Sequence, residues 1–293
     1  MMSKPAVLVN IVLYHPDKKK VLDLIDICSQ YEKGKVLLFD NSEGSLSFEF
    51  DNNKNVFLFK SPKNVGVGGA HHAACQMAEE KNFDFVIFLD QDSQLPPDFI
   101  NDMISGFYRL KKLHPRLCAI GPTWKDPELG ESKTRTLKDK IRSLLKAPNL
   151  KHVLISSGML ISVPTLKHIG YPKKEYFIDL VDTEWCLRAL FKNYQIFMLS
   201  DVHMSHRIGE IKKISKFNFQ YEQSLRYYYS LRNSLFLFQE KNISLSCKLF
   251  ILAGNLFKLR KIIFSPTPMQ SLIAASRGIK DGFLMINNIN DCT

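Results

Sequence analysis

The first hundred residues alternate short runs of β-branched and aliphatic side chains with stretches of helical periodicity. Val7 to Tyr14 reads as a strand, Val21 to Tyr31 as a helix, and Val36 to Phe39 as a second strand. Val56 to Phe59 gives a third short strand, Gly69 to Lys81 a helix, and Phe85 to Leu89 a strongly apolar central strand. Further on, Val153 to Val163 reads as a strand interrupted by Ser156-Ser157-Gly158, and Val181 to Leu190 as a helix. Strands alternating with helices predict an α/β fold, a mostly parallel sheet flanked by helices and doubly wound.

In such sheets ligands bind outside the carboxyl ends of the strands, so the polar residues that follow each strand are the ones to examine. The first strand runs into Tyr14-His15-Pro16-Asp17, the second into Asp40-Asn41-Ser42, the third toward Asn64-Val65-Gly66, and the central one into Asp90-Gln91-Asp92-Ser93. Four successive strand ends carry polar groups toward one edge.

The chain has 293 residues, 45% hydrophobic and 24% charged, enough for one large α/β domain with an extension or for two domains. Its net charge of +11 implies attraction to something anionic, whether nucleic acid, a phospholipid surface or a phosphorylated small molecule. The positive charge is unevenly placed. Residues 131–151 carry seven basic and two acidic side chains, predicting a basic loop or short helix, and no acidic residue occurs between Asn242 and Lys280. There, lysines and arginines interleave with Leu, Ile and Phe, which predicts a helical extension that either packs on the α/β domain or lies against an anionic leaflet. No run is long and apolar enough to span a bilayer, the N-terminus lacks a signal-peptide pattern, and the six cysteines form no C-x-x-C pair. A cytoplasmic protein with reduced thiols, peripheral on the inner face of the membrane, is the expectation.

Each polar cluster has a chemical and a plain reading. Asp90-x-Asp92 offers hard oxygen donors suited to Mg²⁺ or Mn²⁺ holding a diphosphate, or is simply a solvated turn after a strand. Asp40 could accept from the imide N–H of a uracil or thymine ring, or form an Asx turn. Gly66, Gly68 and Gly69 before a helix would let backbone N–H groups approach a ligand, but His71 breaks the dinucleotide spacing G-x-G-x-x-G. Helical spacing puts Asp179, Asp182 and Cys186 on one face, with Asp182 near a helix N-terminus, fit for a general base or a cap. His203 and His206 offer an imidazole beside carboxylates. Arg226, Tyr227 to Tyr229, Arg232 and Asn233 suit phosphate contact or surface packing.

Taken in order, the segments VNIVLYHPD, VLLFDNS, NVGVGGAHHAA, FLDQDS, SSGMLIS, FIDLVDTEWCLRA, HRIGE and RYYYSLRN resemble the family 2 inverting glycosyltransferases, in their bacterial rhamnosyltransferase-like branch related to galactofuranosyltransferases. The resemblance spans Val7 to Asn233. It implies a GT-A fold, a nucleotide-sugar donor, a divalent cation (Mg²⁺ or Mn²⁺) and a lipid-linked glycan acceptor of cell-surface polysaccharide synthesis. It further implies that Asp40 reads the base, that Asn64, Gly66, Asp90 and Gln91 contact the donor, and that Asp92 and His206 bind metal. Asp182 falls at the place of the catalytic base, and Ser157, Gly158, Asp179 and Trp185 at the acceptor site. The branch favours dTDP-rhamnose, with UDP-galactofuranose or another UDP-sugar open because both pyrimidines present the same imide edge. Two departures stand out: Val181 replaces the Glu usual before the base, and His71 and His72 replace two asparagines. The expected division is a catalytic domain over 1–210 and a basic helical extension over 211–293.

Two rivals explain less. A basic protein binding nucleic acid through 131–151 and the tail leaves the strand-end carboxylates without a purpose, so no nucleic-acid partner is expected. A nucleotide-sugar pyrophosphorylase would need a Gly-rich, basic loop after the first strand, which Tyr14-His15-Pro16-Asp17 does not supply.

Overall fold

A computed structural model describes residues 4–44, 55–125, 152–205, 210–214, 217–221 and 223–290; the basic stretch 131–151 and His206 lie outside them. The chain divides into two compact units. The first comprises Met1–Glu131, His152–Phe177 and Val181–His206, and the second Ser132–Lys151, Ile178–Leu180 and Arg207–Thr293.

The first unit holds β1 (Val7–Leu13), α1 (Lys18–Ser29), β2 (Gly34–Asp40), β3 (Val56–Lys60), α2 (Gly66–Glu80), β4 (Phe85–Asp90), α3 (Phe99–Leu113), β5 (Leu117–Lys125), β6 (Leu160–Ser162), α4 (Val163–Ile169), α5 (Val181–Phe191) and β7 (Gln195–Ser205). They build one seven-stranded sheet in the order β3-β2-β1-β4-β6-β5-β7, parallel except for β6. The order reverses between β1 and β4, the switch point at whose carboxyl ends sheets of this kind bind their ligands. Strand β1 is buried at every position. Val7, Val9, Ile11 and Leu13 pack against α1 and α3, while Leu8 joins α2 and α5 on the opposite face.

Two expected boundaries shift. Helix α2 begins at Gly66, so the three glycines lie inside its first turns. The strand expected over Val153 to Val163 shrinks to Leu160–Ser162, because Ser156 to Gly158 turn and Gly158 sits at φ +83°. A Cβ on Gly158 would come within 2.7 Å of the Pro122 ring.

Polar groups also enter this core. Glu184, wholly buried on α5, accepts two hydrogen bonds from Arg188, at 2.7 and 2.9 Å, and Arg188 also donates to the carbonyls of Ile169 and Tyr171. His71, one of the two departures from the family pattern, stacks on Phe88 with ring centroids 3.8 Å apart, and its Nδ1 lies 3.1 Å from the Asn10 amide. It is therefore a core residue. Burial pushes its imidazole down to about 3. The unfolded chain, with an ordinary histidine near 6.5, binds a proton that the folded chain refuses, so this residue's contribution is complete above pH 6.5 and is lost as pH falls toward 3. By pH 5 wild type should have lost about 2 kcal/mol on this account, and His71→Gln should flatten that part of the pH dependence in urea unfolding.

The second unit holds the antiparallel hairpin β8 (Glu210–Ile214) and β9 (Phe217–Tyr221), then α6 (Ser224–Phe236), α7 (Leu245–Lys258) and α8 (Pro268–Asn290). Helices α6 and α8 approach closely because Gly278 and Gly282 face α6; a Cβ on Gly282 would lie 2.8 Å from that of Leu235. Cys28, Cys75, Cys118, Cys186 and Cys247 are buried free thiols, and burial pushes Cys28 and Cys118 up to about 12. Among the described residues no helix is long and apolar enough to cross a membrane.

Candidate active site

Parallel register fixes where the strand-end carboxylates fall. Asp40 pairs with Leu13 on one side of β1, and Asp90 with Val12 on the other, so both stand at the same sheet edge. Asp40 is almost wholly buried. Its Oδ1 accepts from the Ser42 N–H at 2.9 Å, which is the Asx turn the sequence allows, while its Oδ2 is buried with no hydrogen-bond partner among the described residues. A buried acceptor without a donor is costly, so the geometry suits a ligand N–H.

Around it the loops lock together. Asn41 donates to the Gly66 carbonyl and accepts from the Val65 N–H, and His15 N–H donates to the Ser42 hydroxyl. Asn64 accepts from Gly66 N–H at 2.8 Å, tying down the start of α2. Gly66 adopts φ +70°, and a Cβ there would lie 2.3 Å from the Phe177 carbonyl, which itself accepts from Gly68 N–H.

Across β1, Gln91 pairs with the backbone of Tyr14, accepting from its N–H at 2.7 Å and donating to its carbonyl at 3.1 Å. Asp90 is half-buried and Asp92 exposed. The turn is closed by Ser93, whose hydroxyl accepts from Asp90 N–H and lies 2.9 Å from the Ser157 hydroxyl. Next to Ser157, the Ser156 N–H donates to Asp182 Oδ2 at 3.0 Å, and Thr183 N–H donates to Asp182 Oδ1 at 2.7 Å. A short relay of turns therefore joins the Asp90–Asp92 loop to Asp182. Backbone donors of this kind suit an anionic carboxylate.

Several expected site residues do other things. Asp179 does not share a helix face with Asp182, because α5 starts at Val181 and Asp179 lies before it at φ +61°. It belongs with the second unit, where Arg226 of α6 grips its carboxylate and Asn233 donates to the carbonyls of Ile178 and Asp179 at 2.7 and 2.8 Å. Arg232 stacks over the Tyr229 ring. Arg226 and Asn233 thus hold the short segment Ile178–Leu180, in which Asp179 and Leu180 have positive φ. Trp185, expected at the acceptor, is wholly buried and donates to the Gly170 carbonyl; at the second turn of α5 it faces the core. Cys186 is equally buried.

A divalent cation fits the residues that are present. Asp90 and Asp92 supply hard oxygens, and a cation of this kind is commonly held by one or two carboxylates together with substrate phosphates and water, without an all-protein cage. No group of three metal-ligating side chains occurs among the described residues, which do not include His206. Ser205, the residue before His206, bridges Gln94 two positions after Asp92, and a hollow of about 290 Å³ lies against Gln94, Leu95, Pro96 and His203 to Ser205. His203 hydrogen-bonds Thr123.

The fold and this arrangement define a class. The sequence model of Glycosyl transferase family 2 matches residues 18–170, and the chain belongs to that family. The dTDP-rhamnosyl transferase RfbF of Shigella flexneri is 27% identical over 282 residues, covering 91% of this chain and 88% of that protein. Among solved structures, S. aureus TarS 1-349 in complex with UDP-GlcNAc superposes with a TM-score of 0.57 at 17% identity, over 98% of this chain and 83% of that one. A longer TarS structure gives 0.56 at 16% identity, and this chain spans half of it. The shared fold is GT-A, with helices added at the C-terminus.

Proposed function

We propose that this family 2 glycosyltransferase moves a sugar from a pyrimidine nucleotide-sugar onto the hydroxyl of a lipid-linked glycan, with inversion at the anomeric carbon, and that the donor is dTDP-rhamnose. The single observation that carries the reading is the sheet-edge array: a buried carboxylate oxygen without a donor at Asp40, and Asp90 with Asp92 across β1, linked through Ser93, Ser157 and Ser156 to Asp182. Rhamnose is supported by the relative of 27% identity.

In this reading Asp40 accepts the imide N–H of the base, and Gln91 holds the first strand's end against the loop that faces the diphosphate. When bound to Asp90 and Asp92, with His206 as a further ligand, Mg²⁺ or Mn²⁺ supplies charge neutralisation at the leaving diphosphate. Asp182 takes the acceptor's proton as its oxygen bonds to the anomeric carbon. The bond from that carbon to the diphosphate breaks, and the nucleoside diphosphate leaves with the electron pair. Ser157 and Gly158 form the turn beneath the acceptor, and the acceptor's lipid is presented at the inner leaflet.

Thermal shift with dTDP, UDP and GDP, each with and without Mn²⁺, tests the donor assignment, since a ligand that binds the folded state raises its stability. dTDP and UDP should stabilise and GDP should not; stabilisation by GDP alone, or by none of the three, sinks it. Asp40→Asn keeps the Ser42 contact but turns an N–H₂ toward the base, so pyrimidine nucleotide affinity should fall by roughly 10- to 100-fold in titration calorimetry.

A further inference from the structure

Helices α7 and α8 are built inside out. A helix on a soluble domain turns its large apolar side chains inward and its polar ones to water. Helix α7 instead buries Cys247, Lys248 and Asn255, with Lys248 donating to the Phe238 carbonyl and Asn255 to the Ser230 carbonyl and Ser234 hydroxyl. Its exposed stripe is Leu245, Leu249, Leu256 and Phe257, the last 62% exposed. Helix α8 repeats the inversion. Ser271, Ala275, Gly278 and Gly282, spaced four, three and four apart, are buried, whereas Met269, Leu272, Ile273, Phe283 and Leu284 face out. Small residues inward and large apolar residues outward is the pattern of helices whose outer solvent is lipid.

Charge selects the occupant of this surface. Arg260, Arg277 and Lys280 are exposed beside the apolar stripes, with Arg260 stacked on Phe257 at 3.8 Å, and no acidic residue lies between 242 and 280. A second copy docked symmetrically would set this face against itself, cation against cation; the carboxylate of α8, Asp281, is half-buried and accepts from Tyr228 at 2.8 Å. An anionic phospholipid surface supplies both the apolar layer and the negative charge.

We propose that the outward faces of α7 and α8 form a monotopic membrane-docking surface, in which Leu249, Leu256, Phe257, Leu272 and Phe283 enter the headgroup–acyl boundary and Arg260, Arg277 and Lys280 contact anionic headgroups. The helices lie on the leaflet, since no described helix is long and apolar enough to cross it. This deepens the lipid-linked reading by naming the surface, but it rests on the helical unit alone.

The test is co-sedimentation of the full chain with vesicles of phosphatidylcholine, and of equal parts phosphatidylcholine and phosphatidylglycerol. Binding should be confined to the anionic vesicles. The triple variant Leu249→Ser, Leu256→Ser, Phe257→Ser should lower the partition coefficient roughly tenfold or more, and Arg260→Gln, Arg277→Gln, Lys280→Gln should lower it comparably and remove its salt dependence. All six positions are exposed, so circular dichroism and the nucleotide thermal shift should stay as in wild type; a variant that moves either is replaced by its single substitutions. Absence of binding, equal binding to both vesicles, an apolar triple that binds as wild type does, or a dimer in solution that the apolar triple dissolves would each overturn the proposal. Because thermal shift reads nucleotide binding without vesicles, failure of the docking surface and failure of the donor assignment register separately.

Discussion

Asp182→Asn should lower kcat by about 10²- to 10⁴-fold while leaving donor affinity within a few-fold of wild type. The substitution is close to isosteric, and an Asn oxygen can still accept from the Ser156 N–H or the Thr183 N–H that now hold the carboxylate, so the turn at Ser156 and the start of α5 should persist. In the proposed mechanism, what is lost is the group that takes the acceptor's proton. A general base acts on the attacking hydroxyl and not on the bound nucleotide, hence the split between turnover and donor binding. The paired measurement is single-turnover transfer from dTDP-rhamnose alongside calorimetric titration of dTDP. Transfer at the wild-type rate would remove Asp182 from the chemistry, and a parallel collapse of dTDP affinity would recast it as a structural residue of the Ser93–Ser157 relay.

Gly66→Ala should destabilise the protein by about 2–5 kcal/mol, combining the left-handed conformation imposed on a residue with a side chain and the overlap that follows. At φ +70° the new Cβ would sit 2.3 Å from the Phe177 carbonyl oxygen and 2.6 Å from its ring. The carbonyl has little freedom to retreat, because Gly68 N–H holds it at 2.8 Å and Phe177 itself is at positive φ. The loss should appear as a lower urea midpoint, and as weaker nucleotide stabilisation because Asn41 and Asn64 anchor on this same turn. Gly44→Ala separates the two causes. It shares the positive φ but would meet no atom within 4 Å, so it should show only the conformational part, about 1–2 kcal/mol. Equal losses at the two glycines would mean that the contact with Phe177 contributes nothing.

Much of the sheet could be read from local pattern. The parallel core strands are apolar runs closed by polar residues, and the observed β1, β2, β3 and β4 fall within a residue or two of the expected ones. Residues 210–221 hold EIKKISKFNFQY, whose alternation near Phe217 to Tyr221 could have signalled the hairpin within the extension. Asn10 in the run VLVNIVL was an equally available sign of a buried polar pair. The roles of Asp179 and Trp185 were not available, since helical spacing says which residues share a face only once the helix start is known. The segment Ile178–Leu180, with positive φ at Asp179 and Leu180, is held by partners about 50 residues away, Arg226 and Asn233.

The sequence by itself determined the elements of the sheet, the strand-end positions of Asp40, Asp90 and Asp92, the family, and the basic, acid-free character of the final helices. All of these are properties of residue order and composition. Only the tertiary structure decided that Asp40 keeps one oxygen without a donor, that Ser93 and Ser157 join the Asp90 loop to Asp182, that His71 and Trp185 are core, and that α7 and α8 turn their leucines outward. Burial and hydrogen-bond satisfaction are set by which distant segments meet, and periodicity along one helix fixes that it has two faces without saying which of them the rest of the protein covers.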